Sequence, residues 1–237
     1  MKNQHGYSYS KVSQIATYSP WIGDEQFKSI YSIVRRPSPF GHWTMTQVDE
    51  YRAYELWKLV EESSKLKEGS LIEIGTWCGG SGGLIGSMAR SAGITDTLYM
   101  CDTFKGIVKV DEKQDSHMED GMLDDATYES VDYIINEVLG IENVKILEGT
   151  FPEDTSHYIP DDEKFRFCHM DVDVYQGSED ILEWLWDRLV PGGIVVYDDY
   201  GFDTADGVTK HVEQQRKCED RLVIHNLNGH AIVIKLF

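Results

Sequence analysis

Short apolar segments alternate with amphipathic segments through most of this chain, and that alternation limits the folds open to it. Five continuous apolar runs predict strands, at residues 70–77, 97–103, 143–149, 165–172 and 193–198. Helical spacing of apolar residues predicts helices before and between them, at about 46–67, 81–92, 126–139 and 178–189. Strands of this kind, separated by helices, predict a mainly parallel sheet that is covered by helices on both faces.

The C-terminal part of the chain follows a different pattern. A short helix is predicted at about 207–218, and two apolar segments, LVIHNL and HAIVIKLF, come after it. Asn228 and Gly229 separate these segments, and an Asn-Gly pair between apolar runs is a strong signal for a β-hairpin. The sequence therefore predicts an α/β fold whose seven-stranded sheet is mainly parallel and is closed by an antiparallel C-terminal hairpin.

The first 45 residues lack this alternation and are predicted to form an N-terminal extension or lid beside a single domain at 46–237. Residues 1–20 are polar and aromatic without periodicity, which is typical of a mobile segment or of one that folds over another part. Aromatic side chains in this extension suit either a lid over a ligand or a dimer interface: Trp21, Phe27, Tyr31, Phe40 and Trp43.

Composition argues against several classes of partner. The formal net charge of −19 would repel the phosphates of nucleic acids and the surfaces of anionic lipids. No apolar run approaches the roughly 20 residues that span a bilayer, and the start of the chain does not resemble a signal peptide. The four cysteines include no C-x-x-C pair, so we expect reduced thiols and a cytoplasmic protein.

The first predicted strand runs into a glycine-rich turn, EIGTWCGGSGG. Gly75, Gly79 and Gly80 lack a Cβ atom and would let a ligand approach the backbone before Ser81 opens the next helix. The dinucleotide fingerprint G-x-G-x-x-G is not met, because Ile85 takes the third glycine position when the count begins at Gly80. The turn therefore indicates either a site for another small molecule or a tight packing turn.

Two acids near this turn favour a ligand that has both an amino-acid and a nucleoside part. Glu73 stands two residues before Gly75, where a carboxylate suits the amino group of such a ligand. Asp102 ends the next strand, where a carboxylate can accept hydrogen bonds from two ribose hydroxyls. S-adenosylmethionine carries both groups and is the predicted cofactor. Gly149 and Thr150 follow the third strand and suit either contact with an adenine edge or an ordinary loop.

Three further aspartates stand at the ends of two predicted strands. Asp171 ends the strand in FRFCHMDVDVY, and Asp198 and Asp199 follow the strand in IVVYDDYG. If these strands are neighbours, the carboxylates converge at one rim, where repulsion would raise their pKa values unless a cation lies between them. Carboxylates without a Cys/His pair suit a hard divalent cation such as Mg²⁺, although an Asp-Asp pair is ordinarily a solvated turn or a helix cap.

Five motifs occur in an order that resembles the macrocin O-methyltransferase family, within the Rossmann-like class I S-adenosylmethionine-dependent methyltransferases: EIGTWCGGS, CDTFKGI, EGTFPEDT, HMDVDVYQGSEDIL and LVPGGIVVYDDYG. The resemblance covers about residues 45–215. It implies a cofactor site formed by Asp171 and by residues of these motifs, namely Glu73, Gly75, Thr76, Trp77, Ser81, Asp102, Thr103, Phe104, Gly149 and Thr150. It also implies that Asp171, Asp198 and Asp199 bind Mg²⁺ and that the protein is a homo-oligomer.

The resemblance implies transfer of a methyl group from S-adenosylmethionine to a hydroxyl of a sugar or glycosylated small molecule, with Asp171 as the expected proton acceptor. Catechol-type relatives place a lysine base where this chain has Val174. The alternative in the same class is N-methylation of an amino sugar or a related small molecule. A nicotinamide-dependent oxidoreductase and a non-catalytic protein that binds S-adenosylmethionine are further alternatives, against which the glycine spacing and the acidic triad argue respectively.

Structural and ligand-binding roles are both considered for the other polar residues near these strand ends. Asp173 would either orient a ligand or cap the helix predicted near Ser178. His169 and His230 are expected to pack within strands, whereas His211 would approach the metal side. The acidic segment KVDEKQDSHMEDGMLDD would be a mobile cover over substrate or an ordinary solvated loop.

Overall fold

The computed structural model describes residues 19–237, which contain one seven-stranded sheet. The strands are β1 (Ser70–Ile74), β2 (Leu98–Asp102), β3 (Val144–Glu148), β4 (Phe165–Met170), β5 (Leu189–Tyr197), β6 (Arg221–His225) and β7 (Ala231–Lys235). Their order across the sheet is β3-β2-β1-β4-β5-β7-β6. The first five strands pair in parallel, and β7 pairs antiparallel with both β5 and β6. The predicted parallel sheet with an antiparallel C-terminal hairpin is confirmed.

The helices follow the predicted alternation, except for one within the first 45 residues, where no helix was predicted. They are α1 (Glu25–Val34), α2 (Glu50–Ser63), α3 (Gly80–Ser91), α4 (Tyr128–Asp132), α5 (Tyr175–Trp186) and α6 (Asp206–Gln215). The helix predicted at about 126–139 begins as α4 and continues as a π-helical turn, Tyr133–Val138. None of the helices within residues 19–237 combines the length and the hydrophobicity needed to cross a bilayer.

A separate hydrophobic core covers each face of the sheet. Along β1, Leu71 belongs to the core that contains α1, α2 and α3, whereas Ile72 and Ile74 belong to the core that contains α5 and α6. Phe165 and Phe167 of β4 divide between the two cores in the same way. Because both faces of the sheet are covered, the central strands β1 and β4 are buried at every residue instead of alternating between buried and exposed.

The described part of the predicted extension packs closely against the rest of the chain. Trp21 and Phe27 are buried in the core around α2 and α3, which leaves neither ring available to a lid or an interface. The backbone of Met45 bridges two elements, since its N–H donates to Val34 O and its carbonyl accepts from Gly80 N. The division of the chain at residue 45 stays a prediction, and the prediction for the first 18 residues lies outside the described residues.

Two of the element boundaries that differ from the predicted ones have an identifiable cause. Strand β1 ends at Ile74 instead of residue 77, because Gly75 turns the chain with a φ of 84°. Helix α5 begins at Tyr175, three residues earlier than predicted, and Asp115 accepts a hydrogen bond from Tyr175 N at 2.9 Å. A carboxylate from a distant loop therefore satisfies an N–H at the start of this helix.

Candidate active site

A cavity of about 320 Å³ opens at the carboxyl ends of β1, β2, β4 and β5. The strand order reverses at β1, because the chain adds β2 and β3 on one side and then crosses to β4 on the other. Ligands of open α/β sheets bind at such a reversal. Residues 45–48 and Arg52 form part of the wall, so the segment that precedes α2 helps to enclose the cavity.

The glycine-rich turn brings the backbones of two neighbouring strand ends into contact. A Cβ atom on Gly75 would lie 1.7 Å from the carbonyl oxygen of Asp171, so any side chain there would collide with the backbone after β4. Asp171 N also donates to Ile74 O at 2.9 Å. Gly79 has a φ of 83° and is the N-cap of α3. Glycine at position 75 is thus required by the close approach of two chains.

Most of the predicted cofactor residues lie on the cavity wall: Gly75, Thr76, Trp77, Ser81, Asp102, Thr103, Gly149, Thr150 and Asp171. Glu73 and Phe104 are not among the lining residues. The Glu73 carboxylate is fully buried and accepts hydrogen bonds from Thr76 Oγ1 at 2.7 Å and from His169 Nδ1 at 2.9 Å. Glu73 thus supports Thr76 from beneath the wall, and its contact with a ligand amino group stays a prediction.

Two backbone N–H groups hold the Asp102 carboxylate. Trp77 N donates to one oxygen at 2.7 Å, and Phe104 N donates to the other at 2.8 Å. Burial raises the pKa of Asp102, while these backbone hydrogen bonds act in the opposite direction. Each carboxylate oxygen keeps a further lone pair, so the group can still accept hydrogen bonds from a diol at the cavity surface.

A second group of carboxylates lies on the other side of the cavity. Oxygen atoms of Asp171, Asp173 and Asp199 lie within 4.8 Å of one another. Burial and the charges of Asp198 and Asp199 raise the pKa of Asp171 well above its usual range, and burial raises that of Asp173 to about 7. Asp173 and Asp199 have φ values of 63° and 56°, which are costly for residues with a Cβ atom. Strained backbone and like charges are therefore concentrated at one place.

Asp198 has different surroundings from its neighbour Asp199. Arg52 Nη1 donates to Asp198 Oδ1, and the Nε2 atoms of His169 and His230 lie 3.7 and 3.4 Å from its oxygens. Burial alone would raise the pKa of Asp198, but the charges of Arg52 and His230 lower it well below its usual range. Asp198 is therefore a buried anion whose charge is balanced by protein side chains.

The structure brings Arg52, Glu55 and His230 to this site, although no sequence motif marks any of them as functional. Arg52 Nη1 also donates to Asp199 Oδ1 at 2.9 Å, and its Nε donates to Asp49 Oδ2 at 2.9 Å. His230 Nδ1 lies 2.8 Å from Glu55 Oε2. The signal available in the sequence was an arginine on the apolar face of α2, one turn before Leu56.

The cap predicted for Asp173 is wrong. The N-cap residue of α5 is Val174, no side chain of the cap forms a capping hydrogen bond, and Asp115 satisfies Tyr175 N instead. Asp173 has a φ of 63°. Its carboxylate lies within 4.8 Å of those of Asp171 and Asp199. The open alternative, in which Asp173 orients a ligand, agrees with its place on the cavity wall.

The structure agrees with the predicted places of two histidines and contradicts that of a third. His169 is buried within β4, as predicted; burial favours its neutral form, but the Asp198 and Glu73 carboxylates raise its pKa to about 10. His230 precedes β7 and is buried, with Glu55 and Asp198 as its neighbours. The prediction that His211 approaches the metal side is wrong, since it is buried against Tyr197 and Gln215.

The acidic segment after β2 is held in place by its own carboxylates and by α6. Asp115 is buried, and its second oxygen accepts from Asp111 N at 2.9 Å. Asp206 at the start of α6 accepts hydrogen bonds from both the N–H and the hydroxyl of Ser116. Residues 106–109 and Leu123 line the cavity, so this segment forms one of its walls.

Comparison with known proteins places these features in a family. The family described as Macrocin-O-methyltransferase (TylF) matches residues 35–229. The chain is 31% identical over 143 residues to the 8-demethyl-8-(2,3-dimethoxy-alpha-L-rhamnosyl)-tetracenomycin-C 4'-O-methyltransferase of Streptomyces olivaceus, with 57% of this chain and 54% of that protein covered. It is 32% identical over 140 residues to the demethyldecarbamoylnovobiocin O-methyltransferase of Streptomyces niveus, with 56% and 53% covered.

The matched region thus spans about half the length of these two relatives. A solved structure of the O-methyltransferase NovP resembles the whole described chain, with a TM-score of 0.72 at 22% identity. That comparison covers 93% of this chain and 100% of NovP. At this level of identity the structural likeness establishes the fold.

Proposed function

The chain belongs to the macrocin O-methyltransferase family, and from that premise we propose that it transfers a methyl group from S-adenosylmethionine to a hydroxyl of a sugar or glycosylated small molecule. One observation carries the proposal. A single cavity joins the turn around Gly75 and Asp102 to the carboxylates of Asp171, Asp173 and Asp199. A nucleoside-type donor and a polar acceptor would therefore meet at the same strand ends.

We assign donor binding to the side of the cavity that contains the glycine-rich turn. Asp102 would accept hydrogen bonds from the ribose hydroxyls, because both of its oxygens are already oriented by backbone N–H groups. Gly149 and Thr150 would lie along the adenine, and Thr76 and Ser81 along the amino-acid part. When bound, S-adenosylmethionine supplies a methyl group on a sulfonium, which is an excellent leaving group.

The carboxylate side fits a divalent metal, for which we propose Asp171, Asp198 and Asp199 as ligands. The donor set consists of carboxylate oxygens, which suit Mg²⁺; burial, and then the charges of neighbouring aspartates, raises the pKa values of Asp171 and Asp199. Asp173 lies within 4.8 Å of two of these groups and is a further candidate ligand. A bound Mg²⁺ would act as a Lewis acid that lowers the pKa of an acceptor hydroxyl.

The residues of this chain would position the acceptor and remove its proton. The acceptor oxygen forms a bond to the methyl carbon as the carbon–sulfur bond breaks, and the hydroxyl proton passes to a carboxylate. We propose Asp171 as the proton acceptor, with Asp173 as the second candidate. The position of a catechol-type lysine base is taken by Val174.

The names of the relatives support a glycoside acceptor. One relative is named for methylation of a rhamnosyl tetracenomycin, and another for O-methylation of demethyldecarbamoylnovobiocin. For this chain we also propose a homo-oligomeric, cytoplasmic protein. All four cysteines are free thiols, which agrees with a reducing compartment.

The test uses the full chain with methyl-labelled S-adenosylmethionine and a panel of deoxysugars, glycosides, nucleotide sugars and amino sugars. We expect label on a hydroxyl of a glycoside, loss of transfer with EDTA, and its return with Mg²⁺. Label on nitrogen would support N-methylation instead. Full transfer by chelated, metal-free protein would reject the metal assignment, and donor binding without transfer to any acceptor would favour a non-catalytic role.

A further inference from the structure

We propose that Arg52 is a built-in counter-cation for Asp198 and Asp199, and that a divalent metal ion must displace its terminal nitrogen to bind there. Arg52 would then set the metal affinity of the site. This inference rests on the proposed function, since it assumes that Asp198 and Asp199 are metal ligands. It concerns a residue on α2, outside the motifs that carry the family resemblance.

A single nitrogen atom of Arg52 bridges both aspartates. Nη1 donates to Asp198 Oδ1 and to Asp199 Oδ1, the latter at 2.9 Å. Among residues 19–237, no other lysine or arginine is ion-paired with these two carboxylates. The oxygens that would face a metal ion therefore already face a cation. A guanidinium and a dication cannot occupy the same space, and each would repel the other strongly at such short range.

The same arginine has a second anchor that does not depend on the site. Its Nε donates to Asp49 Oδ2 at 2.9 Å, and the other oxygen of Asp49 caps α2 through Tyr51 N at 2.9 Å. The guanidinium also lies 5.3 Å from the ring of Phe202. Because the guanidinium is rigid and planar, displacement would turn Nη1, Cζ and Nε–H together, so these contacts oppose the movement and add to the cost of metal binding.

The position of Arg52 makes the displacement geometrically feasible. The residue is only 8% exposed, yet it lines the cavity beside Asp198 and Asp199. The guanidinium can therefore turn as a unit toward the open space of the cavity without unfolding of α2. In the metal-free protein, Arg52 would offset the repulsion between neighbouring carboxylates and keep them close enough to bind an ion.

The test measures Mn²⁺ binding, as a Mg²⁺ substitute, from the paramagnetic resonance signal of the free ion, with full-length protein and no donor or acceptor present. We expect Arg52→Met to bind Mn²⁺ about tenfold more tightly than the unmodified chain. The matched control is Lys58→Met, which removes one positive charge from an exposed position of the same helix, where the lysine pairs with Glu61. It should change the affinity by less than about twofold.

Two further measurements separate displacement from other effects. Arg52→Lys keeps the positive charge and should bind Mn²⁺ more weakly than Arg52→Met. In the unmodified chain labelled with ¹⁵N-arginine, saturating Mg²⁺ should shift the side-chain resonance of Arg52 and leave that of Arg166 in place. This second measurement needs no variant, so it holds even if Arg52→Met does not fold.

The possible failures are distinguishable. If folded Arg52→Met binds Mn²⁺ as the unmodified chain does, or less tightly, the role of Arg52 is rejected while the metal site stands. An unmoved Arg52 resonance at saturating Mg²⁺ leads to the same conclusion. If neither the unmodified chain nor any variant binds the metal, both this inference and the metal assignment of the proposed function are rejected.

Discussion

The two halves of the cavity hold their carboxylates by different means. In the cofactor half, formed by the turn after β1 and the end of β2, backbone N–H groups of Trp77 and Phe104 hold Asp102. In the acidic half, formed by the ends of β4 and β5, Arg52 contacts Asp198 and Asp199 from a remote helix. The backbone-held group is in place without an ion. The carboxylates of the acidic half, in contrast, need a cation to balance their negative charge.

The largest effect is expected from a change in the acidic half alone. Asp199→Asn should reduce methyl transfer on the order of 10³-fold, because the proposed metal site would lose a charged oxygen ligand. The affinity for S-adenosylmethionine, measured by calorimetry, should stay within about twofold, since the two halves have separate supports. Asp203→Asn, at an exposed position four residues later, is the control. An equal loss of donor affinity in Asp199→Asn would contradict the division into halves.

The cofactor half depends instead on the close approach of two backbones. Gly75→Ala should destabilise the protein by about 3 kcal/mol or more, because the new Cβ would lie 1.7 Å from Asp171 O. Gly93→Ala is the matched control, since Gly93 also has a positive φ but no atom within 4 Å of its Cβ position. It should cost about 1 kcal/mol of backbone strain. Urea unfolding measures the loss of unfolding free energy in both variants. Equal losses would show that the contact between the new Cβ and Asp171 O is relieved at little energetic cost.

His211 lies outside both halves and gives the stability of the protein a pH dependence of its own. Burial, and then the charge of Arg221, lowers the pKa of His211 from 6.5 to about 4. The unfolded chain therefore takes up the proton first, and stability should fall on the order of 3 kcal/mol as the pH drops from about 6.5 to about 4.

Replacement of His211 tests the predicted direction of this pH dependence. His211→Gln should flatten the pH dependence of the unfolding free energy in this window, whereas His117→Gln, at an exposed position, should leave it unchanged. An unaltered slope in His211→Gln would mean that the dependence comes from the carboxylates. Only the part that remains in this variant should be assigned to the acidic half.

The smallest effect is expected from the backbone-held carboxylate. Asp102→Asn should weaken binding of S-adenosylmethionine by about tenfold, because an amide cannot accept from both Trp77 N and Phe104 N. Mn²⁺ affinity should stay within about twofold of that of the unmodified chain. Asp124→Asn, exposed in the acidic segment, is the control. A parallel loss of Mn²⁺ affinity would show that the halves are coupled.

Much of the fold was predictable because its signals are local. Apolar runs, helical spacing and the Asn228-Gly229 turn correctly predicted the strands, the helices and the hairpin. Some of the boundaries that differed depend on contacts from elsewhere, as at Tyr175, where Asp115 satisfies the first turn of α5. Capping by Asp173 was one of the two roles open to it, and it fails because Asp115, which is distant in the sequence, satisfies Tyr175 N instead.

The candidate site was predictable to the level of strand ends. The order of motifs placed Gly75, Asp102, Asp171 and Asp199 correctly at one rim, since parallel strands bring their carboxyl ends together. The separate surroundings of Asp198 and Asp199 were not predictable, because adjacent residues point in different directions and meet different elements.

The sequence by itself determined the α/β sheet, the rim at which ligands would bind, and the family to which the chain belongs. Tertiary structure alone decided which charges balance one another there. Arg52 and Asp198 are 146 residues apart in the chain, and only the packing of α2 against the sheet brings them into contact. Secondary structure follows from neighbouring residues, whereas the balance of buried charge depends on all the elements that surround it.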